Sequence, residues 1–287
     1  ILLIKFKMKH KIKQVLDKYF GIDIRIKPDK LSAIHNENLL GLLKRSTLVL
    51  QSNRLDILDK GLILDFCHFV INYEHKTYSQ LFQDLAFLFF CSGEPINGTY
   101  LEVGVGDGIN HSNTYLLEKK IGIKGILIEA DPRQTKQISK FRGATLIKCI
   151  AGSKNDVVSI NLASIPELSW VGKNKPNDNL FRSSTKKFAI NSRTLDSVLE
   201  ENLKENTLDY LSIDVEGYEN EVLLGFSLNR WQPKFINIEH NRDELQMDNF
   251  KSFFKENYTL VLESISDCDF WFVRNDIYKK NQQNKFI

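Results

Sequence analysis

The sequence has few cysteines, no zinc-type spacing and almost no excess charge. Its four cysteines, Cys67, Cys91, Cys149 and Cys268, are far apart in 287 residues and form no CxxC pair. Each sits in a mainly apolar run, which reads as a reduced, buried small side chain and predicts a reducing, cytoplasmic compartment. The net charge is +3, without the basic excess or stripe of a nucleic-acid-binding protein. No secretory signal or stable membrane insertion is expected. In "ILLIKFKMKHKIK" only four apolar residues precede the first lysine, too few for either. Met8 in that stretch is a candidate natural start. The alternation of lysines with Ile4, Phe6, Met8 and Ile12 reads as a solvated face. Repeats and low-complexity tracts are also missing.

What is present is an ordinary globular composition, 42% hydrophobic and 26% charged. Residues 1–76 read as a mostly helical extension. Apolar residues recur there at three- and four-residue spacings in "IKQVLDKYF" and "NENLLGLLKRSTLVL". "TYSQLFQDLAFLFF" then predicts an amphipathic helix capped by Thr77 or Ser79 and opening a second unit, residues 77–287. From Gly98 onward strands alternate with helices. "TYLEVG", "GILIEA", "ATLIKCIA", "LDYLSIDV" and "KFINIEHN" read as apolar strands, with "DVVSINL" as a short extra one. "HSNTYLLEKK", "PRQTKQISKF", "TLDSVLEENL", "YENEVLLGF" and "DELQMDNFKSFFKEN" read as helices. "YTLVLESI" and "DFWFVRND" close the chain as an antiparallel terminal pair. Continuous apolar strands separated by helices predict an α/β fold with a mainly parallel sheet covered on both faces. In such a sheet a ligand lies beyond the carboxyl ends of the strands, where strand order reverses.

The stretch "LEVGVGDGIN" lies at that position. Gly104, Gly106 and Gly108 turn the first strand toward the first helix and let backbone N–H groups approach a ligand closely. A dinucleotide fingerprint needs glycine where Ile109 stands, so that pattern fails. Glu102, two residues before the first glycine, would repel a pyrophosphate and attract a cationic ammonium and sulfonium. Glu129 ends the second strand in "LIEADP", 25 residues after Gly104, where an acid that binds a ribose diol is expected. The ligand this pattern predicts is S-adenosylmethionine, with S-adenosylhomocysteine as product.

In this order "YSQLFQDLAF", "GTYLEVGVGDGINHSNTYLLEKKIGIKGILIEADP", "TLDSVLEE", "LDYLSIDVEGYENEVLLGF" and "INIEHN" resemble the FkbM-type S-adenosylmethionine-dependent methyltransferases, over roughly residues 77 to 275. The resemblance implies a class I methyltransferase (Rossmann-like) fold with a seven-stranded sheet. It also implies O-methylation of a carbohydrate or sugar-linked acceptor in glycan or natural-product assembly. The cofactor set it implies is Gln83, Asp84, Glu102, Gly104, Gly106, Asp107, Gly108, Asn113, Thr114, Glu129, Ala130, Asp131, Ile150 and Asp214. Gln80 lies on the same entering helix as Gln83 and Asp84. Ser112, Asn113 and Thr114 have two readings, capping the helix after the glycine loop or contacting the methionine carboxylate.

Methyl transfer is an in-line displacement, and a hydroxyl acceptor needs a base. The fourth strand ends with Asp214 and Glu216, and the fifth with Glu239, His240 and Asn241. Neighbouring strands are about 4.8 Å apart, so these ends are expected to share one pocket. His240, with an ordinary pKa of about 6.5, is the expected base, oriented by Glu239 or Asp214. Asp214, Glu216 and Glu239 have a second reading as Mg²⁺ ligands, although no metal is expected. Glu216 alone also reads as a helix-start carboxylate. The segment 163–187 reads as a long irregular loop, with Trp170 either stacking on a sugar or anchoring its own segment. Two other functions fit parts of the pattern: an NAD-dependent oxidoreductase, and an assembly subunit that binds the cofactor without turnover.

Overall fold

A computed structural model describes residues 33–52, 56–91, 98–172, 184–205 and 207–284. The predicted helix "IKQVLDKYF" lies outside them. Two N-terminal helices, α1 (Ala33–Gln51) and α2 (Ile57–Tyr73), lead to α3 (Gln83–Cys91). The first strands and helix after them are β1 (Thr99–Val103), β2 (Lys124–Ile128), α4 (Pro132–Phe141) and β3 (Thr145–Ile147). Then come β4 (Ile150–Ala151), β5 (Asp156–Ala163), β6 (Trp170–Val171) and β7 (Ser184–Arg193). The chain continues through α5 (Leu195–Asn202), β8 (Leu208–Ile213), α6 (Glu219–Leu224), α7 (Leu228–Trp231) and β9 (Phe235–Glu239). It ends with α8 (Glu244–Phe254), β10 (Tyr258–Val261), β11 (Asp269–Arg274) and α9 (Asn275–Asn284). The last helix has no counterpart in the sequence reading.

Seven strands form one sheet in the order β10-β11-β9-β8-β1-β2-β3. The strands from β3 to β9 run parallel, and β11 is antiparallel to both β9 and β10. This is the predicted mainly parallel sheet with its terminal antiparallel pair. The order reverses between β1 and β8, so the ends of those strands face a common crevice. On one face, Tyr100, Tyr210, Phe235 and Trp271 pack with Phe87 of α3 and with Leu42 and Phe66 of the N-terminal helices. On the other, Leu101, Leu211, Ile236 and Phe270 pack with Leu195, Val222 and Phe250. Two-residue alternation along each strand assigns these sides.

The structure revises five local expectations. "ATLIKCIA" is not one strand: β3 joins the main sheet, and β4 joins a second sheet of order β4-β7-β5-β6. That second sheet takes in both described ends of the segment read as an irregular loop, Trp170–Val171 as β6 and residues 184–187 in β7, with β5 and β7 as an antiparallel pair. α3 is buried nearly all round rather than amphipathic. Thr77 and Ser79 do not cap it; their hydroxyls donate to the buried Asp84 carboxylate at 2.6 and 2.7 Å. Finally, the helix expected from His111 is helical only from Tyr115 and continues as a π-helix over Leu117–Ile121, closed by Gly122.

The late start of that helix follows from a buried clamp behind the glycine loop. Glu102 points from β1 into the interior and accepts from the Asn113 backbone N–H (2.7 Å) and from the Ser112 and Thr114 hydroxyls. Residues tied to Glu102 cannot also wind into the first helical turn. The Arg142 guanidinium, fully buried, lies 3.6 Å from Glu102 and 2.6 Å from Glu118. It also donates to the Gly108 carbonyl at 3.0 Å and to the Tyr100 hydroxyl at 2.9 Å. Gly104, at φ +81°, lies against β8: a Cβ there would sit 1.7 Å from the Asp214 carbonyl oxygen. Only glycine permits this approach.

Two stability tests follow. Arg142→Met leaves Glu102 buried without its cation, so unfolding free energy in urea should fall by about 3–5 kcal/mol. Gly104→Ala should cost about 3 kcal/mol or more, because the obstacle is backbone and cannot rotate away. An unchanged unfolding midpoint in either variant would contradict the packing described.

Candidate active site

The crevice at the strand reversal holds a cavity of about 490 Å³. Its floor is the glycine loop, with Gly104, Val105, Gly106 and Asp107 at the wall. Glu129 at the end of β2 organises that loop. One oxygen of its carboxylate accepts from the N–H groups of Val105 and Gly106, both at 3.0 Å, and the other from Asp131 N–H at 2.8 Å. Burial pushes the Glu129 carboxyl up to about 7. Asp107 closes the next turn, accepting from the N–H groups of Ile109 and Asn110, both at 2.8 Å. Gly106, at φ +60°, has nothing within 4 Å of the position a Cβ would occupy. Its bare backbone therefore faces open cavity and not protein.

The remaining wall comes from β2, the second sheet and the ends of β8 and β9. Ala130, Asp131 and Ile150, three of the residues that the resemblance implied, line the cavity. Asp131 also caps α4 and pairs with Arg133. Asp214, Glu216 and Glu239 line the side opposite the glycine loop. The Asp214 and Glu239 carboxyl groups are close enough to interact, and a proton shared between them would relieve their repulsion. Burial raises both above the ordinary carboxylate range; their mutual repulsion and the nearby Glu219 and Asp269 raise Glu239 further. Asn241 donates to the other side of Glu239 at 2.7 Å. Two non-glycine residues at the wall, His111 (φ 61°) and Glu216 (φ 57°), adopt left-handed backbone, a strained state that concentrates at functional sites.

Six expected cofactor residues do not line the cavity. Glu102, Asn113 and Thr114 form the buried clamp behind it, because alternation on β1 turns Glu102 inward toward α3. Glu102 therefore meets Arg142, not a cationic ligand. Gly108 packs against Ile138 and the Arg142 side chain. Gln83 is buried and donates to Asp269 at 2.8 Å, and Asp84 is held by Thr77 and Ser79. These residues support the cavity from below.

His240 is also displaced from its expected place. One residue beyond Glu239, it falls on the opposite side of the sheet, its ring 4.3 Å from Phe270. Its Nδ1 accepts from Arg242 N–H at 2.9 Å, and burial lowers its pKa. It lines a second cavity between α2 and α8 and not the one holding Glu239. As for metal, no group of three or more His, Cys, Asp or Glu side chains is placed to hold an ion among the described residues. Asp214, Glu216 and Glu239 thus do not converge in that way.

Several wall residues were not in the sequence-derived set: Gln80, Asn110, His111, Cys149, Ile160 and Tyr218. Gln80 was placed on the entering helix, but it precedes α3 and reaches the cavity rim. Asn110 and His111 were legible as neighbours of the glycine loop. Ile160 and Tyr218 were not, since the second sheet brings them to the cavity from distant sequence. Trp170, on β6, is 5% exposed and lines the wall, anchored in the second sheet.

No helix among the described residues is long and apolar enough to cross a membrane. No curated protein matches the chain. The crystal structure of methyltransferase FkbM from Methylobacillus flagellatus KT is similar over 88% of this chain and 62% of that one, with 14% identity and a TM-score of 0.43. The chain thus spans less than two thirds of that protein's length. Residues 102–272 match the Methyltransferase FkbM domain family. That match covers more than half of the chain and includes the glycine loop, Glu129 and both acidic strand ends, and the protein belongs to the FkbM methyltransferase domain family.

Proposed function

We propose that the protein is an S-adenosylmethionine-dependent O-methyltransferase of the class I type, acting on a hydroxyl of a carbohydrate or sugar-linked acceptor. The observation that carries this reading is one cavity joining the open glycine backbone at Gly106, the Glu129 carboxyl and the Asp214–Glu239 pair. The strand order, with reversal between β1 and β8, supports the class I assignment. The residues suit the cofactor. Glu129 is placed for the ribose diol, Gly106 for close approach of the ligand, and Ala130, Ile150 and Ile160 for an apolar ring. When bound, S-adenosylmethionine supplies an electrophilic methyl on a sulfonium sulfur.

The chain's own residues have three tasks in this reading. The glycine loop and Glu129 hold the donor in a fixed orientation. The second sheet, through Ile160 and Trp170, covers the cavity and limits water. Asp214 and Glu239 sit across from the loop, where the acceptor hydroxyl would approach. The pair holding one proton is a monoanion, and its raised proton affinity lets it take the hydroxyl proton near neutrality. We therefore take Glu239 and Asp214 as the base in preference to His240, whose ring faces another cavity. The family membership supports methyl transfer over hydride transfer, and the absence of glycine at Ile109 points the same way.

Calorimetric titration with S-adenosylmethionine and S-adenosylhomocysteine is the first test, and binding by neither removes the assignment. Gly106→Ala should fold with a loss of only about 1–2 kcal/mol, the cost of left-handed alanine, yet bind the donor at least about tenfold less tightly. Normal donor affinity in that variant would mean the ligand lies elsewhere. Glu239→Gln should lower turnover by about 10²–10⁴-fold while donor affinity holds. The sign of the pH dependence is fixed: the pair must have room for a proton, so kcat/KM falls as pH falls. Its acid limb should lie well above the ordinary carboxylate value of about 4. A limb near 4 would reject the pair as base. Mass spectrometry of glycans with and without the gene should show a loss of about 14 daltons, one methylene.

A further inference from the structure

Among the described residues, the charges around the cavity are one-sided. Its described lining includes Asp107, Glu129, Asp131, Asp214, Glu216 and Glu239, but no lysine or arginine. Three of these acids already have partners in the scaffold. Asp107 closes a turn, Glu129 holds loop amides and Asp131 faces Arg133. The Asp214–Glu239 pair is different: the two carboxyl groups lie close enough to interact, and Glu239 accepts from the Asn241 amide at 2.7 Å. Behind it, Glu219 is fully buried; one of its oxygens accepts from the N–H groups of Val215 and Gly217, and the other has no hydrogen-bond partner. Two aromatic side chains, Trp170 and Tyr218, complete the wall.

Carboxylates beside aromatic faces form a favourable setting for an ammonium group. A phosphate or carboxylate is recognised instead by arginine forks, lysines or a helix N-terminus aimed at it. We propose that the acceptor is an amine-bearing hydroxyl compound, an amino sugar by chemical class, and that phosphorylated and uronic acceptors are excluded. This rests on the donor assignment above and names the acceptor class of that same site. The one-sided lining is the specificity device: an anion entering this side meets acids and no described cation, which costs several kcal/mol when like charges face each other.

Donor analogues test the charge preference without knowledge of the acceptor. Sinefungin carries an amine on the carbon that replaces the sulfur, and the carboxymethyl analogue of S-adenosylmethionine carries a carboxylate on the transferred carbon. By calorimetry on the whole chain, sinefungin should bind at least about tenfold more tightly than S-adenosylhomocysteine. The carboxymethyl analogue should bind at least about tenfold more weakly than S-adenosylmethionine. A single amide substitution leaves the pair with one negative charge, so the informative variant is Asp214→Asn with Glu239→Gln. In it, sinefungin and S-adenosylhomocysteine should differ by less than about threefold. Should that variant not fold, the wild-type comparisons still decide.

Equal affinity for the carboxymethyl analogue and S-adenosylmethionine, or for sinefungin and S-adenosylhomocysteine, overturns the inference while leaving the donor site intact. No binding by any of the four removes the donor assignment and this inference with it. On protein saturated with S-adenosylhomocysteine, methyl glucosaminide should bind at least about tenfold more tightly than methyl glucuronide. Failure to distinguish the two sugars rejects the amine preference.

Discussion

The buried contact between Arg142 and Glu102 is the constraint on which the cavity depends. A carboxylate facing the interior from β1 is strongly unfavourable alone. Here it is matched by a guanidinium from the end of α4 and by hydroxyl and amide donors from residues 112–114. The same guanidinium reaches the Gly108 carbonyl, so one cation ties β1, the glycine loop, the π-helical segment and α4 together. The loop can therefore present bare backbone to the cavity without depending on a ligand for its shape. Replacing such a pair with apolar groups need not weaken a fold, but removing one partner does. The clamp thus specifies geometry more than it adds stability.

The division of labour among the glycines follows from that geometry. Gly104 is required by the protein, because β8 passes too close for any side chain. Gly106 is not required by neighbouring atoms, because its Cβ direction is empty. Adjacent glycines in one motif serve two different purposes, close strand packing and an open ligand face. Glu129 links them by holding the loop amides from the far side of the crevice.

Polar groups under α3 have a similar logic. Asp84, Gln83 and Asp269 are buried beneath the cavity and hydrogen-bonded to one another's elements, through Thr77, Ser79 and Asn237. Burial pushes Asp84 and Asp269 up to about 6. In such a layer each polar group is satisfied only in one arrangement of α3, β9 and β11. It fixes the floor on which Asp214 and Glu239 stand.

Much of this was legible in the chain itself. Apolar runs marked the strands of the main sheet except β3, whose run was read through into β4, and the glycine spacing with Glu129 marked the crevice, because both depend on local backbone demands. Asp214 and Glu239 were found for the same reason, since they stand at strand ends, whereas Ala130, Asp131 and Ile150 came with the family resemblance. What the sequence could not state was orientation. Whether Glu102 or His240 faces the ligand depends on which side of a two-residue alternation the sheet covers, and that is decided by α3 and α8 packing against it. Nor could it show that β4, β5, β6 and β7 build a second sheet at the cavity, since that pairing joins segments far apart in sequence. The local chain determined where the site lies; tertiary contacts decided which side chains enter it and which hold it up.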